Sequence, residues 1–131
     1  MRKVSSFYRT EPVGFRDQPD FWNAVVEIAW IGSARTLLDA AREVERRVGR
    51  TPTFANGPRE IDVDVLDLGG RVRNAPDPVL PHPRLNGRRF ALVPLAEINP
   101  TWKDPRTGKS VGELLDALPA RPRVRKMRPV R

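Results

Sequence analysis

The sequence predicts one compact domain that mixes β-strands with helices. Three observations lead there. Short apolar–polar alternations sit between proline- and glycine-rich turns, a stretch after Ser33 has helical rather than strand periodicity, and 131 residues with 39% hydrophobic positions suffice for one core but not two.

Taken in order, residues Val4 to Tyr8 are β-prone and end at Thr10-Glu11-Pro12-Val13-Gly14, where proline and glycine favour a turn. A second strand is expected over about Asn23 to Ile31, with Val26, Ile28 and Trp30 on one side and Val25 and Glu27 on the other. The two form an antiparallel pair joined by a long polar loop. Ser33 is placed to cap a helix whose apolar stripe is Leu37, Leu38, Ala41, Val44 and Val48, and Gly49 is its stop. Ile61, Val63 and Val65 alternate with Asp62 and Asp64 as a third strand that ends before Gly69-Gly70. Asn74 to Arg89 contains four prolines and reads as an extended loop, followed by the apolar run Phe90-Ala-Leu-Val93. Ser110 and Glu113 match a capping box that opens a short helix with Val111, Leu114, Leu115 and Leu118 inward. Residues 1–118 make the domain, and 119–131 read as a flexible basic tail.

Composition narrows the chemistry. There is no cysteine, which excludes disulfides, thiolate metal sites and cysteine nucleophiles, and one histidine, His82, which excludes multi-histidine metal sites. Carboxylates remain as metal ligands, and they favour hard cations such as magnesium. No window approaches the ~18 consecutive apolar residues of a membrane span, so the reading is a soluble, cytoplasmic protein without a membrane partner. Lysine and arginine exceed aspartate and glutamate by 24 to 16, which favours a polyanionic partner, either nucleic acid or a nucleoside triphosphate.

Asp62 and Asp64 lie two apart on the expected strand, so both carboxylates leave the same face with Cα atoms roughly 6.5–7 Å apart. Such a pair can hold magnesium ions that also bind triphosphate oxygens, or it can be the solvated side of a half-buried strand. Arg59, three residues before Asp62, favours the first. Arg50, Arg59, Arg88 and Arg89 offer guanidinium forks that match phosphate oxygens. His82 in Pro81-His82-Pro83-Arg84 could contact phosphate or be an ordinary loop histidine. Phe21 and Phe90 could stack on a flat heterocycle whose edge Asn23 reads, or could belong to the core. No P-loop motif occurs.

Read together, Ser6-Phe-Tyr-Arg-Thr-Glu-Pro-Val-Gly14, Asp17-Gln-Pro-Asp-Phe21-Trp-Asn23, Gly57-Pro-Arg-Glu-Ile-Asp-Val-Asp64 and Pro81-His-Pro-Arg84 with Arg88-Arg-Phe90 closely resemble the 6-hydroxymethyl-7,8-dihydropterin pyrophosphokinases of folate synthesis, from about Val4 to Pro100. The resemblance implies an α+β, ferredoxin-like two-layer sandwich with an antiparallel sheet. It implies transfer of the β,γ-pyrophosphoryl group of ATP to the pterin hydroxymethyl oxygen, giving AMP. Asp62 and Asp64 would ligate two Mg2+ ions. Phe21 and Phe90 would sandwich the pterin, framed by Asn23 and by the backbone at Thr10, Pro12 and Val13. Arg50 and Arg59 would be catalytic; Arg59 and Arg88 would hold the triphosphate, with His82, Val65 and Glu45 also on the nucleotide side.

The chain departs from the family pattern in three places. Thr51-Pro-Thr-Phe-Ala-Asn56 lacks the arginine and tryptophan usual before Gly-Pro-Arg, with Phe54 standing nearest to the tryptophan, and Asp77 and Val79 replace nucleotide-contacting arginine and threonine. The family also begins with a strand, a Gly-Ser-Asn turn and a helix ahead of the Ser-x-Phe-Tyr motif. The resemblance therefore implies a missing first β-α unit, supplied by a start further upstream or replaced by a second chain that completes the sheet. The competing readings are a basic RNA-binding module of ferredoxin-like fold and a non-catalytic relative.

Overall fold

The structure, a computed structural model, describes residues 2–11, 21–49, 61–120 and 123–127, and of Phe21 it describes the backbone alone. In chain order the elements are β1 (Lys3–Val4), β2 (Tyr8–Thr10), β3 (Phe21–Asn23), β4 (Val26–Glu27), α1 (Ala34–Val48), a 3-10 turn (Leu85–Gly87), α2 (Arg89–Ile98), α3 (Val111–Asp116) and β5 (Val124–Lys126). With three helices and antiparallel strand pairs among the described residues, the fold is α+β. The chain divides into two compact units, one of Met1–Ala29 with Arg84–Arg131 and one of Trp30–Pro83.

In the first unit β2 is the central strand, antiparallel to β3 on one side and β5 on the other. Arg9 faces Trp22 across one interface and Arg125 across the other, so all three stand in one row. The period of two sends Tyr8 and Thr10 into the core and Arg9 out. β1 pairs with β4 in a separate two-stranded ribbon. The two expected strands thus exist in part, as an antiparallel pairing with each broken into two shorter pieces, and the second ends at Glu27 rather than near Ile31. Ser5 is the joint: its buried hydroxyl accepts the Val25 amide at 2.8 Å, and its own amide donates to the Val25 carbonyl at 2.9 Å.

Two expectations about the C-terminal half are corrected here. Phe90-Ala-Leu-Val93 is not an isolated apolar run but the first part of α2, which continues through Pro94. Proline removes one donor, the amide that would reach Phe90, yet its fixed φ is helical, and burial of Ala91, Leu92, Pro94, Leu95 and Ile98 holds the helix together. Within the segment expected as a basic tail, Val124–Lys126 form β5, because β2 offers them an open edge and Met127 extends the pairing by donating to the Phe7 carbonyl at 2.8 Å. α3 follows expectation: both hydrogen bonds of the Ser110–Glu113 capping box are present, and Val111 and Leu114 are buried. Leu85, Leu92, Trp102 and Val111 complete this core.

In the second unit the Ser33 hydroxyl caps α1 by accepting the Thr36 amide, and Gly49 ends it. Leu37 and Ala41 are buried as expected, joined by Ala34, but Val44 and Val48 are 46% and 54% exposed, so the stripe covers only the first half of the helix. Residues 61–67 are the clearest departure. Their burial alternates as expected, with Ile61, Val63 and Val65 half-buried and Asp62 and Asp64 exposed, yet they form no strand. A strand needs a neighbour for its backbone groups, and no described strand lies beside this segment. Two of its backbone groups bond elsewhere: the Val63 amide to a glutamate side chain and the Leu66 carbonyl to the His82 amide. Gly69 and Gly70, both at positive φ, make the turn that follows.

Candidate active site

The residues expected to meet a heterocycle all lie in the first unit. Thr10 ends β2 and is 3% exposed. The Asn23 side-chain amide donates to its hydroxyl at 3.4 Å, a long bond that leaves the other Asn23 groups available to a ligand edge. Phe21 pairs with Thr10 in the register, and its side chain lies outside the described residues. Phe90 is the second residue of α2, half-buried, with the Arg88 guanidinium 5.5 Å from its ring centroid. This is a cation–π distance, so one residue pair offers both an aromatic face and a phosphate-matching charge. α2 packs against β2, β3 and β5. Pro12 and Val13 lie outside the described residues.

One carboxylate that the sequence reading did not single out ties these elements together. Glu97 of α2 accepts the Ser6 amide and the Ser6 hydroxyl at 2.7 Å each and the Tyr8 hydroxyl at 3.0 Å, with Lys126 of β5 at 3.4 Å. Burial pushes the Glu97 carboxyl up, but the Ser6, Tyr8 and Lys126 donors outweigh it and hold it below the usual range. Tyr8 moves the other way, pushed up to about 12 by burial and by its hydrogen bond to anionic Glu97. A second overlooked carboxylate, Asp104, is 1% exposed and accepts the Asn86 amide at 2.8 Å, the Arg106 backbone at 2.9 Å and the Thr107 hydroxyl at 2.9 Å. Burial acts to raise it, and those three donors lower it further than burial raises it. Through Asn86 it fixes the 3-10 turn directly ahead of Arg88 and Phe90. In the sequence Asp104-Pro-Arg-Thr-Gly108 carries a turn signature, the only cue available for it.

The residues expected on the metal and nucleotide side lie in the second unit, except Arg88. Asp62 and Asp64 are both exposed, alternating with half-buried Ile61, Val63 and Val65. Glu45 of α1 accepts the Val63 amide at 2.7 Å with one carboxylate oxygen and Arg42 at 3.1 Å with the other. Val65 and His82 are half-buried. The His82 amide donates to Leu66 at 2.8 Å, which sets the proline-rich loop alongside the segment that carries the two aspartates. Arg50, Arg59 and the loop 51–56 with Phe54 lie outside the described residues. Among the described residues no cluster of three or more histidine, cysteine or acidic side chains could cage a metal. Two exposed carboxylates nevertheless fit Mg2+, which binds through one or two carboxylates and completes its octahedron with water and substrate phosphate.

The second unit thus has two exposed carboxylates of a kind that can hold a divalent cation, and the first has an aromatic–arginine pair; both are residue types that enzymes of phosphate esters use. Comparison with known proteins makes this specific: residues 1–100 match the pattern of the 7,8-dihydro-6-hydroxymethylpterin-pyrophosphokinase family, and the chain belongs to that family. It is 37% identical over 116 residues to a 2-amino-4-hydroxy-6-hydroxymethyldihydropteridine pyrophosphokinase of Synechocystis, covering 88% of this chain and 59% of that protein. It is 42% identical over 96 residues to the Bacillus subtilis protein of the same name, covering 73% of this chain and 58% of that one. A folic acid synthesis protein, fol1, of Pneumocystis carinii is 34% identical over 116 residues, 88% of this chain and 16% of the relative. The chain thus spans less than two thirds of the length of these relatives.

Proposed function

We propose that the chain carries the pyrophosphokinase chemistry of its family, moving pyrophosphate from ATP to 6-hydroxymethyl-7,8-dihydropterin in the cytoplasm. The pterin hydroxymethyl oxygen attacks the β-phosphorus of ATP, the bond from that phosphorus to the oxygen it shares with the α-phosphate breaks, AMP leaves, and the hydroxyl proton passes to solvent. The observation that carries this reading is the Asp62/Asp64 pair, exposed together inside the matched stretch. These two residues would hold two Mg2+ ions, which when bound supply neutralisation of triphosphate charge. Thr10 and Asn23 orient the pterin edge, with Pro12 and Val13 extending that frame, and Phe21 and Phe90 cover its faces. Arg88, Arg59 and Arg50 bind and align the phosphates, and Val65 and His82 contact the nucleotide. The test is AMP release from ATP with the pterin alcohol present, with and without Mg2+. Pterin- and magnesium-dependent AMP is the expected result, and its absence from a folded chain overturns the reading.

The finer fold reading is a ferredoxin-like sandwich in which residues 61–67 pair with a strand from outside the described residues. Their alternating burial without a strand neighbour supports it. A second reading, binding of single-stranded RNA, gains one specific observation: Phe7 and Trp22 are 59% and 61% exposed beside Arg9 and Arg125 on the outer side of β2, β3 and β5. Aromatic faces next to arginines can stack bases and hold phosphates. Salt-sensitive binding of an oligouridine that Trp22→Ala abolishes would favour this second reading.

A further inference from the structure

The resemblance places Glu45 near the nucleotide, but its hydrogen bonds assign it different work. The charged side chains around it on α1 pair with one another in solvent: Glu43 binds Arg46 and Arg47, and Arg35 faces Asp39. Glu45 stands apart, with a side chain only 20% exposed. One carboxylate oxygen receives Arg42, and the other receives the amide of Val63 at 2.7 Å, a short charge-assisted bond across 18 positions of sequence.

Val63 is the residue between Asp62 and Asp64. The peptide joining Asp62 to Val63 is planar, so fixing the direction of its N–H fixes the plane from which the Asp62 and Val63 Cα atoms depart. Since alternate side chains leave opposite faces of an extended segment, holding that plane also sets the side from which both carboxylates project. In a sheet the plane would be held by a neighbouring strand, and no described strand pairs with residues 61–67. Among the described residues the acceptor for this amide comes from a helix side chain, Glu45.

We infer that Glu45 is a positioning residue, which holds the Asp62/Asp64 pair in its metal-binding orientation through the Val63 amide. The inference rests on the reading of Asp62 and Asp64 as the magnesium-holding pair. Residues that orient metal ligands from behind typically change metal affinity or activity 10–100-fold when removed.

The test uses the full 131-residue chain, labelled with 15N, and its Glu45→Gln, Glu45→Asp and Glu45→Ala variants. Two quantities are measured: hydrogen exchange of the Val63 amide without metal, and the Mg2+ concentration that gives half-maximal AMP release. Glutamine keeps an acceptor at the same reach, so both quantities should stay within about threefold of the parent. Alanine removes the acceptor and aspartate withdraws it by one methylene; both should speed Val63 exchange and raise the magnesium requirement by roughly 10–100-fold. Unchanged Val63 exchange in the alanine or aspartate variant overturns the inference. So does a glutamine variant as impaired as alanine, since the charge of Glu45 would then act directly on nucleotide or metal. If alanine prevents folding, the aspartate–glutamine comparison decides alone. A parent chain without AMP release at any magnesium concentration counts against the proposed function, while the exchange measurement still decides the role of Glu45 toward Val63.

Discussion

At the scale of single residues, the Tyr8–Glu97 pair gives a direct optical test of the packing of α2 on β2. Tyr8 is the only tyrosine in the chain, so its ionisation can be followed by tyrosinate absorbance without overlap. Burial and the bond to Glu97 push its pKa up to about 12, against 10.0 for the free group. The phenol is therefore more strongly protonated in the folded chain. Its contribution to stability is complete below the unfolded pKa and is lost as pH rises through the folded one, between about 10 and 12. Glu97 has the opposite sign: its lowered pKa contributes stability that is lost as pH falls through the folded value. The expected tyrosinate midpoint is near 12 in the folded chain and near 10 in denaturant, and Glu97→Gln should lower the folded midpoint. A folded midpoint of 10 would remove Glu97 as an anion facing Tyr8. Asp62 and Asp64 make the complementary case, because the role proposed for them is chemical rather than structural. Both are exposed, so Asp62→Asn or Asp64→Asn should leave thermal unfolding unchanged while lowering magnesium-dependent turnover roughly a hundredfold or more. Near-normal turnover in either variant would refute the metal assignment. The alternating exposure of this stretch was legible in the sequence because its period-two spacing marks it. Glu97 and Asp104 were not, because their partners lie far along the chain or within a turn, and a single carboxylate carries no pattern of its own.

At the scale of elements, what was legible is what is local. The Ser33 cap, the Gly49 stop and the Ser110–Glu113 box are decided within a few residues, and the structure has all of them. What was not legible depends on a distant neighbour. β5 exists because β2 has a free edge, although Val124–Lys126 carries no alternation; residues 61–67 carry the alternation and form no strand for want of a described partner. α2 was hidden by Pro94, whose penalty is offset by packing that no local window contains. The loop between α2 and α3 depends in the same way on one buried group. Asp104→Ala would remove the buried acceptor for the Asn86 amide, the Arg106 backbone and the Thr107 hydroxyl, donors on exposed residues, and each such lost hydrogen bond costs about 0.5–1.5 kcal/mol net. With relaxation and water access, roughly 2–4 kcal/mol is expected, read as a lower urea midpoint at unchanged slope. Asp104→Asn, which keeps one acceptor oxygen, should lose less. Equal losses in the two variants would mean that charge, rather than hydrogen-bond geometry, holds the loop.

At the scale of the whole molecule, the family was legible because its motifs are spread along the chain in fixed order, whereas the state of association depends on surfaces that no motif describes. Among the described residues the ribbon of β1 and β4 has no third strand on either edge, and Val26 of β4 and the nearby Ile28 are 51% and 41% exposed. Ile31 is fully exposed, and Val44 and Val48 of α1 are about half exposed. Unpaired strand edges with apolar side chains are templates for pairing with another chain. The opposing term is charge: a net +8 repels like copies, but at physiological salt that repulsion is screened over about 8 Å. Contacts made at a strand edge are shorter than that distance, so the apolar term dominates once two edges meet. The chain should therefore self-associate, with light scattering after size exclusion showing a mass that rises with protein concentration and with added salt. Val26→Lys places a charge at the open edge without removing a buried group, and it should shift the distribution toward the 14.8 kDa monomer while leaving the unfolding midpoint unchanged. A parent chain that stays monomeric at every concentration and salt would show that these edges and apolar residues are too few to pair, and a Val26→Lys variant as associated as its parent would move the contact to the exposed half of α1.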